Sequence, residues 1–145
     1  MTLVIDTNVV LDLFVYDDPA TVPLREVLAE PQTRWFATPV MREELRRVLA
    51  YPQVVKRLAA RSLSADTALA AFDARTQLTD IAPRAPYVCK DTDDQPFIDL
   101  AVAHTATLLS KVKAVLCMAR RLARLGVSVR RQWAPSATQP LQITP

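Results

Sequence analysis

The chain of 145 residues is half hydrophobic and 23% charged, a composition typical of one globular domain that buries its own core. Its single glycine excludes a glycine-rich phosphate-binding loop, and no apolar run approaches the roughly 18 residues that cross a membrane. The net charge of +3 is uneven: residues 1–99 hold 15 acidic and 11 basic side chains, a balance of −4, whereas residues 100–145 hold seven basic side chains and no acidic one.

The first predicted elements are a buried strand and the helices that follow it. Residues Leu3 to Asp6 are a short apolar run, with β-branched Val4 and Ile5, that ends on a carboxylate, and a helix is predicted from about Asn8 to Val15. Another helix is predicted from Thr21 to Ala29, and a short strand from Arg34 to Ala37. Because ligands bind at the carboxyl ends of the strands in an open α/β sheet, Asp6 stands at a candidate site.

Two residues mark the start of the next helix. Thr38 is a favourable N-cap, Pro39 is tolerated at the first helical position, and the apolar residues that follow have helical spacing. A short helix is predicted from Val54 to Ala60 and a longer one from Ser64 to about Leu78. The segment from Ile81 to Val88 contains two prolines and is predicted to be a loop.

The last part of the chain alternates helices and strands again. The predicted elements are a helix from Asp94 to Thr105, a strand from Thr107 to Ser110, a helix from Lys113 to Leu125 that Gly126 ends, and a strand from Val127 to Val129. Strands separated by helices predict a single α/β domain over residues 1–133, whose mainly parallel sheet is covered on both faces. Residues 134–145 are predicted to be a proline-rich tail.

Acidic side chains mark two helix starts, Asp6 near the N-terminus and the cluster Asp91-Thr92-Asp93-Asp94 late in the chain. Carboxylates without a nearby His or Cys suit Mg²⁺ or Mn²⁺ and argue against zinc. Each acid also has a purely structural interpretation: Asp6 as a helix cap, Glu44 in ion pairs with nearby arginines, and the late cluster as a polar loop. The basic C-terminal part likewise suits either a bound polyanion or a solvated helix face.

Three segments together resemble the PIN-domain family, in particular its stand-alone VapC-like ribonucleases, the toxins of toxin–antitoxin pairs. They are Val4-Ile5-Asp6-Thr7-Asn8-Val9, Thr38 to Leu49, and Asp91 to Ala101 followed by Leu108-Leu109-Ser110-Lys111. The resemblance extends from Leu3 to about Trp133. It implies a three-layer α/β/α fold with a Rossmann-like sheet, and a metal-dependent endoribonuclease that acts on RNA.

The resemblance also implies a site in which acidic residues surround Mg²⁺ or Mn²⁺. Asp6, Glu44 and Asp94 match the catalytic acids, and Asp6, Asp94 and Asp99 are the expected metal ligands. Asp91 and Asp93 are alternatives to Asp94, because the acidic cluster permits more than one alignment. Supporting hydrogen bonds are expected from Thr7, Asn8 and Ser110, and RNA contacts from Lys111, Lys113 and Arg120.

One position departs from the family pattern. Relatives usually carry an acid just after the fourth strand, in a sequence like Ser-Lys-Asp-Lys, whereas this chain has Ser110-Lys111-Val112-Lys113. No acidic residue follows Asp99 to replace it. We therefore expect weaker metal binding and reduced or absent cleavage. The alternative is a catalytically silent PIN module that binds RNA or a protein partner.

The remaining expectations concern partners, location and the core. A small antitoxin protein is the implied partner, and a homodimer is compatible with the family. Cys89 and Cys117 lack metal-ligand spacing and are predicted to be reduced thiols; with no charged leader before the first strand, a cytoplasmic protein without membrane association is predicted. Trp35, Phe36 and Phe97 are predicted to lie in the core.

Overall fold

The computed structural model describes residues 1–133, and a five-stranded parallel sheet forms the centre of the fold. Its strands are β1 (Thr2–Ile5), β2 (Arg34–Ala37), β3 (Gln77–Leu78), β4 (Thr107–Leu109) and β5 (Ser128–Arg130). They lie in the order β3-β2-β1-β4-β5, and every neighbouring pair is parallel. The central position of β1 explains why three of its four residues, Leu3, Val4 and Ile5, are apolar and buried. The predicted tail, residues 134–145, lies outside the described residues.

Eight α-helices connect the strands within residues 1–133. They are α1 (Thr7–Phe14), α2 (Val22–Leu28), which a 3₁₀ turn (Pro19–Thr21) precedes, α3 (Pro39–Val48), α4 (Pro52–Ala60), α5 (Ala65–Arg75), α6 (Gln95–His104), α7 (Lys113–Leu116) and α8 (Ala119–Ala123). The chain moves along the sheet in one direction from β1 to β3, and in the opposite direction from β3 to β5. Because crossovers between parallel strands are right-handed, α1–α5 lie on one face of the sheet and α6–α8 on the other. Helices α1, α3 and α5 contact one another, and α6 contacts β1 and β4, in agreement with this arrangement. The predicted α/β fold is confirmed. None of the helices described is long and apolar enough to cross a membrane.

Aromatic side chains extend the aliphatic core of the central strands towards the helices. The Trp35 ring stacks on Phe14 with 6.1 Å between centroids and meets Phe72 edge-on at 5.3 Å. Trp35, Phe36 and Phe97 are all buried, so the prediction that they lie in the core is confirmed.

Local capping signals set the helix starts. The Thr38 hydroxyl accepts a hydrogen bond from the Met41 amide at 3.3 Å, and the Ser64 hydroxyl accepts one from the Thr67 amide at 3.1 Å. Each bond satisfies an amide that the first turn of a helix leaves without a partner. Pro39 occupies the first helical position of α3, as predicted.

Two predicted helices differ in the structure. The helix predicted to reach Leu78 ends at Arg75, because Gln77 and Leu78 pair with the end of β2 as strand β3. The last predicted helix is divided into α7 and α8. Between them the Met118 amide donates to the Val115 carbonyl, a 3₁₀ spacing that interrupts the α-helical pattern.

Gly126, the only glycine of the chain, lies where a side chain does not fit. Its φ is +83°, and a Cβ atom built on it would lie 2.8 Å from Cγ2 of Thr105. We expect Gly126→Ala to lower the free energy of unfolding by roughly 1–3 kcal/mol, because the left-handed conformation alone costs a residue with a Cβ about 1–2 kcal/mol. Urea unfolding measures this loss. Adding Thr105→Ala removes Cγ2, the atom that the new Cβ would contact, and should restore part of the lost stability. An unchanged midpoint for Gly126→Ala contradicts the prediction.

Candidate functional site

Asp6 and Ser110 stand side by side at the carboxyl ends of two neighbouring strands. Asp6 directly follows β1, Ser110 directly follows β4, and the Asp6 amide donates to the Leu109 carbonyl at 2.9 Å. The Ser110 hydroxyl donates to Oδ2 of Asp6 at 2.8 Å. Asp6 is 4% exposed and Ser110 is 0% exposed, so this hydrogen bond is shielded from water. The strand pairing therefore fixes the position of the Asp6 carboxylate.

Burial raises the pKa of Asp6 above its ordinary value, and this is the largest effect on the group. The Ser110 hydroxyl, the amides of Thr7 and Asn8, and the Lys111 ammonium favour the charged form but only partly offset burial. Asn8 therefore acts on Asp6 through its backbone, while the residue itself is exposed. A buried carboxylate in this state is stabilised by any further positive charge that binds beside it.

Glu44 reaches the same end of the sheet from α3. The hydroxyl of Thr7, the first residue of α1, donates to Oε1 of Glu44 at 2.7 Å. Its neighbour Glu43 makes the surface ion pair with Arg46. The ion pair on the helix surface that the sequence allows for Glu44 is thus made by Glu43. Glu44 is instead hydrogen-bonded to Thr7, the residue that directly follows Asp6.

Asp94 immediately precedes α6 and adds a third carboxylate. The residue is 9% exposed, and its Oδ2 atom is buried without a hydrogen-bond partner among the described residues. Burial, followed by the charges of Asp6, Asp91, Asp93 and Glu44, raises the pKa of Asp94 to about 6. Because the charges of Asp6 and Glu44 act on Asp94, the three acids form one electrostatic cluster, which we call the acidic cluster.

The other acids of this region have different surroundings. Asp91 and Asp93 are exposed, and an oxygen of Asp91 accepts a hydrogen bond from the Asp93 amide at 3.0 Å. Asp99, the predicted auxiliary metal ligand, instead holds the loop before α6: its Oδ1 accepts from the Ala85 amide at 2.8 Å and from Gln95 Nε2 at 2.7 Å. Its charge is not among those that shift the pKa of Asp94.

Val112 lies next to the acidic cluster. Its amide donates to the Ser110 hydroxyl at 3.1 Å, and that hydroxyl in turn binds Asp6. Val112 is also the N-cap of α7, with φ −76° and ψ 125°, and its side chain caps no amide. Aspartate is a favoured residue at such a position and valine is not.

The predicted RNA-contacting cations are separated in the structure. Lys111 forms an ion pair with Asp12, a carboxylate that is only 9% exposed, whereas Lys113 and Arg120 are exposed on α7 and α8. Two residues with structural roles here, Asp12 and Gln95, are not among those predicted from the sequence. Asp12 had a signal, because it is a lone charged residue inside the apolar run of α1, but nothing in the local pattern marks Gln95.

The donor atoms suit a divalent cation that keeps part of its water. Within residues 1–133, no group of three or more His, Cys, Asp or Glu side chains is arranged so that it could hold a metal ion by itself. Mg²⁺ gives up water reluctantly and is commonly bound through one or two carboxylates together with water. The unpartnered oxygen of Asp94 and the raised pKa values of Asp6 and Asp94 fit an ion of this kind.

Similarity to known proteins agrees with this geometry. The family described as PIN domain, whose members typically are nucleases and generally use divalent metals, matches residues 2–111, which include the acidic cluster and end directly before Val112. No curated protein matches the sequence. A chain in the crystal structure of VapBC2 from Rickettsia felis bound to a DNA fragment from their promoter has the same fold, with a TM-score of 0.62, 14% identity, and coverage of 89% of this chain and 98% of that chain. This chain therefore belongs to the PIN-domain family.

Proposed function

We propose that this PIN domain is a metal-dependent endoribonuclease of the toxin type, and that Val112 attenuates its activity. The proposal rests above all on Asp94, a buried carboxylate with an unpartnered oxygen and a pKa raised to about 6 by burial and by neighbouring charges. Like charges held together in this way oppose folding, so the cluster is better explained by a function than by stability. A bound cation removes the repulsion.

Asp6 and Asp94 are the residues that would hold Mg²⁺ or Mn²⁺, directly or through water. Such an ion, when bound, lowers the pKa of a water molecule and offsets charge on the phosphoryl oxygens. Ser110 fixes one oxygen of Asp6 at 2.8 Å, and Thr7 fixes one oxygen of Glu44 at 2.7 Å. The second oxygen of Glu44 is left to orient the attacking water or to accept its proton.

A catalytically silent PIN module that binds RNA or a protein partner is the second candidate. Two observations favour it: position 112 carries valine, and no three acids within residues 1–133 form a group that could hold a metal ion by itself. Under this alternative, RNA binding persists while cleavage is absent.

A small antitoxin is the protein partner that we propose. The chain shares its fold with a chain of the VapBC2 structure, which contains promoter DNA as well. The proposal also includes RNA as the substrate, inhibition by a small protein that covers the acidic cluster, and a cytoplasmic location. A homodimer is compatible with it.

Cleavage of single-stranded RNA in the presence of Mn²⁺ tests the proposal. We expect slow cleavage that a chelator abolishes, and a loss of more than about 100-fold in Asp6→Asn, since removing a residue that only supports a metal site already costs about 10–100-fold. Glu30→Gln, which removes an exposed carboxylate before the amino end of β2, at the opposite edge of the sheet, is the matched control and should cleave like the unchanged chain. Cleavage that survives Asp6→Asn contradicts the proposal. RNA binding without cleavage, in both the unchanged chain and Val112→Asp, supports the silent module.

A further inference from the structure

A cavity of about 570 Å³ lies apart from the acidic cluster, between the loop before α6 and the helices α7 and α8. Its lining includes three cations, Lys90, Lys113 and Arg121, and the exposed free cysteine Cys117. No carboxylate of the described residues belongs to its lining. The cavity is therefore a basic pocket, in contrast to the acidic cluster.

The cations of the basic pocket are available for a ligand. None of the ion pairs recorded within residues 1–133 involves Lys90, Lys113 or Arg121. No acidic side chain occurs in the sequence after Asp99, so residues 134–145 supply none either. Three like charges around one cavity repel each other, and an anion in the cavity removes that repulsion.

The basic pocket also has an apolar wall. Val88 lines it and is 58% exposed, and Met118 and Ala114 contribute to the same lining. An anion alone does not need apolar surface, whereas a nucleotide does, because it joins a phosphate to a flat base that packs on apolar or aromatic atoms. The volume lies in the range of sites that hold small organic ligands.

Both walls of the pocket continue from the acidic cluster along the chain. Lys113 follows Ser110 by three residues, and Lys90 precedes Asp94 by four. Four residues of extended chain span at most about 14 Å, so the pocket lies within about two nucleotides of a scissile phosphate held at the acidic cluster.

We propose that the basic pocket is a nucleotide subsite for single-stranded RNA, in which Lys90, Lys113 and Arg121 hold a phosphate and the base packs on Val88. The proposal rests on the proposed RNA-directed function and adds where the strand binds. Of the RNA-contacting residues predicted from the sequence, Lys113 is retained. Lys111 is paired with Asp12, and Arg120 is not part of the lining. Lys90 and Arg121 take their place.

Alkylation of Cys117 reports directly on the occupancy of the pocket in the unaltered protein. Cys117 is exposed in the lining, whereas Cys89 is buried and serves as the internal reference. Iodoacetamide is applied in chelator-containing buffer, so that RNA binds without being cut. At an RNA concentration about ten times Kd, we expect Cys117 to react about tenfold more slowly, by mass action.

Substitution of two cations provides the second measurement. Lys113→Gln/Arg121→Gln should weaken RNA binding at least about tenfold and reduce the salt dependence of log K by about 0.7 for each phosphate that the variant no longer neutralises. Lys56→Gln/Arg75→Gln makes the same charge change at exposed residues outside the pocket and is the matched control. An equal loss of affinity in both double variants overturns the proposal.

The competing ligands are tested in the same assay. Protection of Cys117 by RNA, but not by inorganic phosphate or polyglutamate at equal charge, supports a nucleotide subsite. Protection by polyglutamate and not by RNA assigns the pocket to an acidic segment of a protein partner and overturns the proposal. RNA that binds in this assay while Cys117 reacts at its normal rate also overturns it; if the same RNA is cut once Mn²⁺ is supplied, the nuclease proposal is left intact. Protection without cleavage supports the subsite even if the nuclease proposal fails.

Discussion

Val112→Asp is expected to raise Mn²⁺-dependent cleavage of single-stranded RNA at least about tenfold and to tighten the binding of Mn²⁺. The new carboxylate would project from the residue whose amide binds the Ser110 hydroxyl, and this hydroxyl holds Asp6. A further negative group beside the acidic cluster increases its attraction for a dication. It also places an acid where the resemblance to the PIN-domain family implies one.

The same substitution has opposing effects on the metal-free protein. Aspartate at the N-cap of α7 is more favourable than valine by about 0.5–2 kcal/mol. Against this, another carboxylate near Asp6 and Asp94 adds repulsion, and replacing the half-buried valine removes apolar packing against the core. We therefore expect little net change without metal and a larger rise in Tm on addition of Mn²⁺ than the unchanged chain shows.

Val112→Asn is the matched control for this prediction. Asparagine has the size of aspartate and caps a helix equally well, but it carries no charge. Cleavage that rises equally in both variants assigns the effect to capping of α7. If neither variant cuts faster, the valine at position 112 is not what limits activity.

The part of the fold that depends on local signals could be predicted from the sequence. Thr38 and Ser64 cap helices through hydrogen bonds to amides three residues further on, and the apolar sequence of β1 follows from its central position. Strand β3 could not be predicted, because its two residues, Gln77 and Leu78, are exposed and become a strand only by pairing with β2. Nearby sequence favoured a longer helix, and the tertiary pairing overrode it.

The candidate site likewise contains residues that could be predicted from the sequence and contacts that could not. Asp6 is a candidate from the sequence because it ends a buried strand. Asp91, Asp93 and Asp94 all precede the same helix, and the structure shows that Asp94 is the buried one. The ion pair of Lys111 with Asp12 joins residues 99 positions apart, and the loop contact of Asp99 depends on Gln95 and a distant backbone amide. The sequence around a charged residue does not indicate which distant residue it will contact after folding. These contacts could therefore be assigned only from the structure.

Asp94→Asn is expected to stabilise the metal-free protein at about pH 7.5 and to leave its stability unchanged at about pH 4. The folded pKa of Asp94, about 6, lies above the ordinary 3.8, so the folded protein binds this proton more tightly than the unfolded chain does. The free energy of unfolding therefore falls as the pH rises from about 4 to about 6, and it stays lower at neutral pH. Asparagine, which never ionises, avoids this loss.

The expected gain at neutral pH is on the order of 2 kcal/mol after allowance for solvent screening, or a rise in Tm of roughly 4–8 °C. Mn²⁺ should raise the Tm of the unchanged chain and have little effect on the variant, because a ligand that binds only the folded state stabilises it in proportion to its affinity. Glu30→Gln, with the same change of charge at an exposed residue before the amino end of β2, should reproduce neither effect. If Asp94→Asn is instead less stable at neutral pH, its neighbours do not repel the carboxylate; if it responds to Mn²⁺ like the unchanged chain, Asp94 does not hold the ion.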